Sequence, residues 1–438
     1  MVLMSLTMRL AYGRIGLDVE LPDNTSVLVP HEFPALIDPA VAIRAALRMP
    51  IGSLPLAEMA AQVPRLGRVV IVTSDLTRPV PNRLLLEAVL QTLHESGVAA
   101  ESVLILNGTG MHRANTRDEL VEMYGEEIVE SYRVINHNAR EPATLREIAT
   151  DPRGAPVLFQ RDYLDADLRI VTGFIEPHLF AGYSGGGKGV MPGIAGHTTI
   201  MSNHSASMVG HPHATFGVTE GNPIFEEMRH FALLTEPSFL LNVTMDAEHH
   251  VTGVFAGELV AAHDAGITLC RRQALIEVEE PFDVVITTNG GYPADLNLYQ
   301  SVKGIAVAAR AVKPGGHVVL VAECAEGVGD GGYMELLAAH GSHLELLEAM
   351  HGDGWTTLED QWQAQLQALA QERGNVWLYS SIGESETRGT HLRYCADVTT
   401  TVAQIISDIE SREGRPAMVG VLPYGQQAVP LVQELARN

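Results

Sequence analysis

The sequence predicts an α/β protein built as two α/β domains with mainly parallel sheets and an active-site cleft between them. Three observations lead there. Short apolar runs (RVVIVTS from Arg68, Ser102 to Leu106, Leu168 to Val171) lead into polar loops, and helical periodicity follows the first two. The alternation resumes after Pro281, where PFDVVITTNGG, a helical stretch Leu296 to Val312, a PGG turn and HVVLVAE form a second unit. A chain of 438 residues, 46% hydrophobic, is long enough to bury more than one core. The boundary falls near residue 275, giving 1–275 as a cofactor-binding domain and 276–438 as a C-terminal domain.

Taken in order, the first thirty residues alternate and carry a turn at Pro22-Asp23-Asn24, which predicts paired strands. Pro34 to Leu47 reads as a helix. Arg83 to Ser96 and Arg117 to Tyr124 are helices following the first two strands, so the loops SDLTRP and GTGMHR emerge from one edge of a parallel sheet. Helices around Phe225 to Leu233 and Leu259 to Ala274 enclose a strand, Phe239 to Val243. Further helices are expected at Met334 to Met350 and Leu358 to Gln371, then a strand Met418 to Leu422. The last helix, Gln426 to Ala436, packs on either half, the N-terminal domain included.

The formal net charge of −24 opposes nucleic acid and anionic membrane as partners, although a local pocket can still take a small anion. Three scattered cysteines, Cys270, Cys324 and Cys395, form neither a disulfide framework nor a thiolate zinc site. No leader and no apolar run of membrane-spanning length is recognisable, so a cytoplasmic location is expected.

The stretch Gly173 to His213 concentrates the chemistry. Gly182-Tyr-Ser-Gly-Gly-Gly-Lys188 places a lysine in a glycine run whose bare N–H groups suit an anion. Only Lys188, Lys303 and Lys313 are lysines in the whole chain, so a lysine here points to a primary amine rather than to charge alone. The run matches the start of a phosphate-binding P-loop, yet Gly189 stands where that motif needs a magnesium-binding hydroxyl, and Pro192 and Gly193 oppose a following helix. GVGDGG, from Gly327, satisfies GxGxxG but does not directly follow its strand and reads as a flexible loop.

His178, His197, His204, His211 and His213 offer metal-binding imidazoles without an HExxH-type spacing; each is equally readable as a capping or solvent-facing side chain. Met191, Met201 and Met208 read as packing residues. Asp75 and Arg78 in SDLTRP either grip a substrate carboxylate or form an ordinary turn. His112 in GTGMHR is either a base at a strand end or a loop histidine.

Together, SDLTRP, GTGMHR, EPHLFAGYSGGGKGVMPG with the later Asn203-His204, and YQSVKG with DQWQ resemble the nickel-dependent lactate racemase family, in order and over most of the chain. The resemblance implies a pyridinium-3-thioamide-5-thiocarboxylic acid mononucleotide, the nickel-pincer nucleotide, joined covalently to Lys188, with His204 completing nickel coordination. It implies His112 and His178 as the acid/base pair, and Arg78 and Lys303 as holders of the substrate carboxylate. Tyr299 and Gln300 are implied as polar neighbours of the substrate. Asp75, Ser184, Gly185, Gly186, Gly187 and Trp362 are implied on the cofactor side, which separate cofactor-biosynthesis proteins would supply.

The expected reaction is racemisation or epimerisation of a 2-hydroxy acid, lactate or a relative such as malate, through a 2-oxo acid after hydride rather than proton removal. Arg113 is a candidate for a distal carboxylate. The readings that compete with this are a nickel- or cofactor-binding protein without turnover and a P-loop-like phosphotransfer enzyme.

Overall fold

The structure is a computed structural model that describes residues 4–432 except 330 and 353. It divides into two compact units. One holds Glu32–His204 and His213–Gln273; the other gathers the N-terminal arm up to His31, Ser205–Pro212 and the described chain from Ala274 onward.

In the first unit six strands run in the order Val251–Gly257, Phe239–Met245, Leu168–Phe174, Val69–Ser74, Val103–Gly108, Arg133–Asn136. All neighbours pair parallel except the Val251–Gly257 edge, which is antiparallel. The central strand is apolar on both faces, as a covered parallel sheet requires, and its Ile71 sits opposite Ile105 and Ile170. Leu85, Leu86, Val89 and Leu93 of the helix Asn82–Glu95 fill one side of that core. Helix Arg117–Tyr124 starts where Thr116 and Glu119 form a reciprocal capping box. The strand ends register Ser74 against Gly108, so the loops beginning at Asp75 and Thr109 do leave one sheet edge.

In the second unit a six-stranded parallel sheet runs Arg393–Tyr394, Asn375–Tyr379, Val312–Val321, Phe282–Thr288, Val419–Leu422, Ser26–Val27. The helix Leu298–Ala309 follows the Phe282–Thr288 strand and begins at Asn297, whose side chain accepts from the Gln300 N–H.

Several elements depart from the sequence reading. The first helix is Pro39–Arg48 rather than Pro34 onward, because Asp38 caps it and Pro39 occupies its first turn. The first two strands, Met4–Leu10 and Leu17–Pro22, do pair as a hairpin, but its turn precedes Leu17. Leu10, Val19 and Leu21 then join the core formed with Val284, Val319 and Ile406, which is why residues 4–31 belong with the C-terminal half and the division is not a single cut at 275. The Pro314-Gly-Gly segment lies inside a strand, at an irregularity where Phe282 opposes Val312 but Val284 opposes His317. Met334 to Met350 is two helices, Gly331–Ala339 and His343–His351, the second capped by Ser342. The terminal helix is not formed over Val429–Val432, which is a strand paired parallel to Leu275–Val278; Pro430 and flanking valines disfavour helix there, and residues 433–436 lie outside the described part.

Candidate active site

The edge of the first sheet carries the pair Asp75 and His112. Asp75 directly follows its strand and is buried; its Oδ2 lies 2.6 Å from His112 Nδ1, and Thr77 donates its hydroxyl to Oδ1 at 2.7 Å. Burial pushes the Asp75 carboxyl up, but the hydrogen bonds from His112 and Thr77 and the charges of His112 and Arg78 outweigh it and hold the group below its ordinary value. An ionised Asp75 accepts a hydrogen bond from the His112 Nδ1–H, so the half-exposed ring offers Nε2 as its basic atom. Asp75, grouped above with the cofactor residues, is bonded to His112 in this structure.

Three asparagines hold this corner. Fully buried Asn107 donates to both Asn115 and Asn136 at 2.8 Å, and the Asn115 side chain accepts from the Leu76 N–H, joining the SDLTRP and GTGMHR loops. The Arg113 guanidinium makes two bonds to Glu119, at 2.6 and 2.8 Å, on the carboxylate that closes the capping box.

Several N–H groups of the lysine loop are bonded within the protein. The N–H of Ser184 goes to Glu176 O, that of Gly186 to Asn242 Oδ1 at 2.8 Å, that of Lys188 to Gly185 O and that of Val190 to Gly187 O. Ser184 Oγ bonds the backbone of Phe174 and Glu176. The glycines answer to packing: a Cβ on Gly185 would meet Asn242 Oδ1 at 2.5 Å, one on Gly186 the His263 ring at 2.2 Å, and one on Gly187 the Arg229 backbone at 3.1 Å. Four of the loop's N–H groups are thus bonded within the protein, and position 189 lacks the hydroxyl that a magnesium-nucleotide loop uses.

His178 sits in a short antiparallel pairing opposite Gly182, and its Nδ1 accepts the Ala181 N–H at 3.2 Å. Phe180 packs edge-on to His178, 4.8 Å between ring centres, and edge-on to His204 at 5.1 Å. His204 caps the helix His197–Asn203 and is buried. Burial first, then the Lys188 charge, push its pKa down to about 3, so it stands as a neutral imidazole close to a lysine amine.

The preceding residues are anchored by a polar network. Asn203 donates to Glu227, Arg153 bridges Glu227 and Asp151, and Ser202 bonds Asp151. The GTGMHR loop reaches the segment after Lys188 through Gly110 N–H to Gly193 O, 2.9 Å, so His112 and the lysine loop rest on adjoining backbone. Among the described residues, the one three-residue cluster of metal-ligating side chains is Asp246, Glu248 and His250 on a surface turn. A neutral imidazole at His204 near a primary amine would fit a metal centre carried by a lysine-linked group.

In the second unit, Tyr299, Gln300 and Lys303 lie in the first turns of one helix, with Lys303 Nζ donating to Gln300 Oε1 at 3.0 Å. Tyr299 OH donates to Asp360 Oδ1 at 2.9 Å, and Gln363 donates to the Tyr299 carbonyl at 2.8 Å, which ties that turn to the start of the helix Gln361–Arg373 bearing Trp362. Asn242 and His263 escape the sequence reading, because each lies in a stretch without a recognisable motif.

An α/β scaffold that presents a carboxylate-paired histidine, a second histidine and a lysine amine near a neutral imidazole is suited to acid/base chemistry. Comparison with known proteins gives the particular family. Residues 12–217 match the lactate racemase N-terminal domain and 278–429 the lactate racemase C-terminal domain. The curated lactate racemase of Thermoanaerobacterium thermosaccharolyticum is 33% identical over 427 residues, covering 95% of this chain and 97% of that one. That of Lactiplantibacillus plantarum is 34% identical over 385 residues, covering 87% and 89%.

The lactate racemase apoprotein structure from Thermoanaerobacterium thermosaccharolyticum superposes with a TM-score of 0.88 at 32% identity, covering 97% of this chain and all of that one. A Thermotoga maritima protein shares the fold, with a TM-score of 0.67 at 18% identity and coverage of 92% and 100%. The chain belongs to the lactate racemase family and is an isomerase of the racemase class. No helix among the described residues is long and apolar enough to cross a membrane.

Proposed function

We propose that this chain interconverts the enantiomers of a short 2-hydroxy acid, with lactate the first candidate. The observation that carries the reading is the pairing of His112 with Asp75, whose buried carboxylate lies 2.6 Å from the His112 Nδ1 and leaves Nε2 turned to other partners. For one enantiomer His112 takes the hydroxyl proton, and Asp75 stabilises the imidazolium that forms. For the other, whose hydroxyl points elsewhere once the carboxylate is pinned, His178 takes the hydroxyl proton, and in either direction the histidine that took the proton can return it to that oxygen as the 2-hydroxy acid re-forms. Arg78 and Lys303 hold the carboxylate, with Tyr299 and Gln300 as neighbouring polar groups.

Loss of hydroxyl proton and α-hydrogen leaves a planar 2-oxo acid, which can be rebuilt on either face. When bound, the nickel-carrying pyridinium mononucleotide supplies the chemistry that takes and returns the α-hydrogen as hydride. Lys188 is its covalent anchor and His204 its protein nickel ligand, with Trp362 beside it. The proteins that make this nucleotide are the partners required before turnover. Arg113 is committed to Glu119, so the geometry provides no support for a malate-type distal carboxylate at that residue.

The test is expression alongside those cofactor-making proteins, intact-mass measurement with peptide mapping, and chiral chromatography of lactate. A nickel- and sulfur-containing adduct on the Lys188 peptide, with D- and L-lactate interconverted by wild type and not by His112→Asn, supports the proposal. An adduct without interconversion of any 2-hydroxy acid would establish a binding protein instead. Failure to load where a known family member loads in the same cells removes the covalent mechanism.

A further inference from the structure

Behind the lysine loop stand two buried polar side chains that no motif marks. Asn242 lies in the strand Phe239–Met245 and is fully buried; its Oδ1 accepts the Gly186 N–H at 2.8 Å, and its Nδ2 donates to Leu241 O. His263 lies in the helix Leu259–Ala274 and is also buried; its Nε2 is 2.9 Å from Ser184 O. Burial holds the His263 pKa down at about 4 despite that bond, so the ring is neutral and Nε2 donates to the carbonyl. The ring stacks on Phe225 at 6.1 Å.

From these contacts we infer that Asn242 and His263 are positioning residues for Lys188, fixing the backbone from which its amine reaches the attachment point. Two directed bonds, one from a strand and one from a helix, seize the chain at Ser184 and Gly186, the fourth and second residues before the lysine. Gly185 and Gly186 have φ of +78° and +53°, and a Cβ on either would strike Asn242 or His263, so loop and clamps fit only together. A neutral histidine and an asparagine suit this place, since both bond the backbone without putting a charge behind the lysine loop. A packing role alone would need the shapes of the side chains but not their donor and acceptor.

The inference rests on Lys188 as the attachment residue, and the test separates the two claims. His263→Leu, Asn242→Leu and the conservative His263→Gln are compared with wild type in two ways. One is the fraction of Lys188 carrying adduct after expression with the cofactor-making proteins. The other is competitive acetic anhydride labelling of the cofactor-free chain, in which Lys303 and Lys313 are internal references. Loss of one directed bond corresponds to roughly a tenfold change.

The expected result is a roughly tenfold fall in adduct and a changed Lys188 labelling rate in both leucine variants. Lys303, Lys313 and near-UV circular dichroism should not change, and His263→Gln should largely restore both readouts. Wild-type adduct and wild-type labelling in the leucine variants would overturn the inference. So would parallel exposure of all three lysines in both variants, which marks a merely structural role. If wild type fails to load where a known relative loads, the attachment reading fails, and Lys188 labelling alone decides whether the clamp exists.

Discussion

Replacing Gly186 by alanine distinguishes a loop made of glycine for packing from one made of glycine for a phosphate. The new Cβ would lie 2.2 Å from His263 Nδ1, and that ring has little room to move while it donates to Ser184 O and stacks on Phe225. The positive φ of 53° costs an L-residue about 1 kcal/mol, and forcing an extra methyl into a filled site about 1–3 kcal/mol more. The combined destabilisation is about 2–4 kcal/mol, and for a unit of this size each kcal/mol lowers the thermal midpoint by about 2–4 °C. Gly97→Ala is the control: it shares a positive φ, 87°, but nothing lies within 4 Å of its added Cβ, so only the backbone penalty of about 1 kcal/mol remains. Scanning calorimetry of the cofactor-free chain measures both. A drop of about 4–16 °C for Gly186→Ala against about 2–4 °C for Gly97→Ala is expected. Equal drops would refute the packing account of the loop.

Further outcomes follow from other contacts. Asp75→Asn keeps size but removes the charge that backs His112; turnover of the loaded enzyme should fall roughly ten- to hundredfold with KM nearly unchanged, and a loss confined to KM would contradict the orienting role. Arg113→Ala, measured with lactate and malate in parallel, should change each by no more than about twofold, since Arg113 serves Glu119; selective loss of malate would restore it as a substrate residue. Burial pushes the Asp283 carboxyl up, but hydrogen bonds from Arg415, the Met418 N–H and Lys313 override it and hold the group well below the usual carboxylate range. Its folded value lies below its unfolded one, so its contribution is present above about pH 4 and lost as pH falls further. Urea melts at neutral and acid pH should show Asp283→Asn destabilised at pH 7, with a shallower loss of stability on acidification than wild type.

Much of this was legible in the sequence where local rules and topology agree. The helix Arg117–Tyr124 announces itself through Thr116 and Glu119, and parallel strands bring the loops after Ser74 and Gly108 to one edge, so Asp75 and His112 were placeable together. The particular bond between them was not, because either residue alone reads as an ordinary turn residue. Glycine was ambiguous for a related reason: permissive backbone serves a ligand's approach and a neighbour's packing equally, and only Asn242 and His263, distant in sequence, decide between them. The Val429–Val432 strand and the N-terminal arm depend on partners at Leu275–Val278 and Val419–Leu422, pairings that local periodicity does not encode.

In the proposed reaction the α-hydrogen leaves and returns as hydride while the histidines handle only the hydroxyl proton. This is tested most directly with L-lactate deuterated at C2, incubated with the loaded enzyme in ordinary water and resolved by chiral chromatography coupled to mass spectrometry. D-lactate that retains deuterium at C2 is the expected result, since a hydride that never becomes a solvent proton cannot wash out. D-lactate carrying hydrogen from water at C2 would contradict it and make one of the histidines a base for carbon instead.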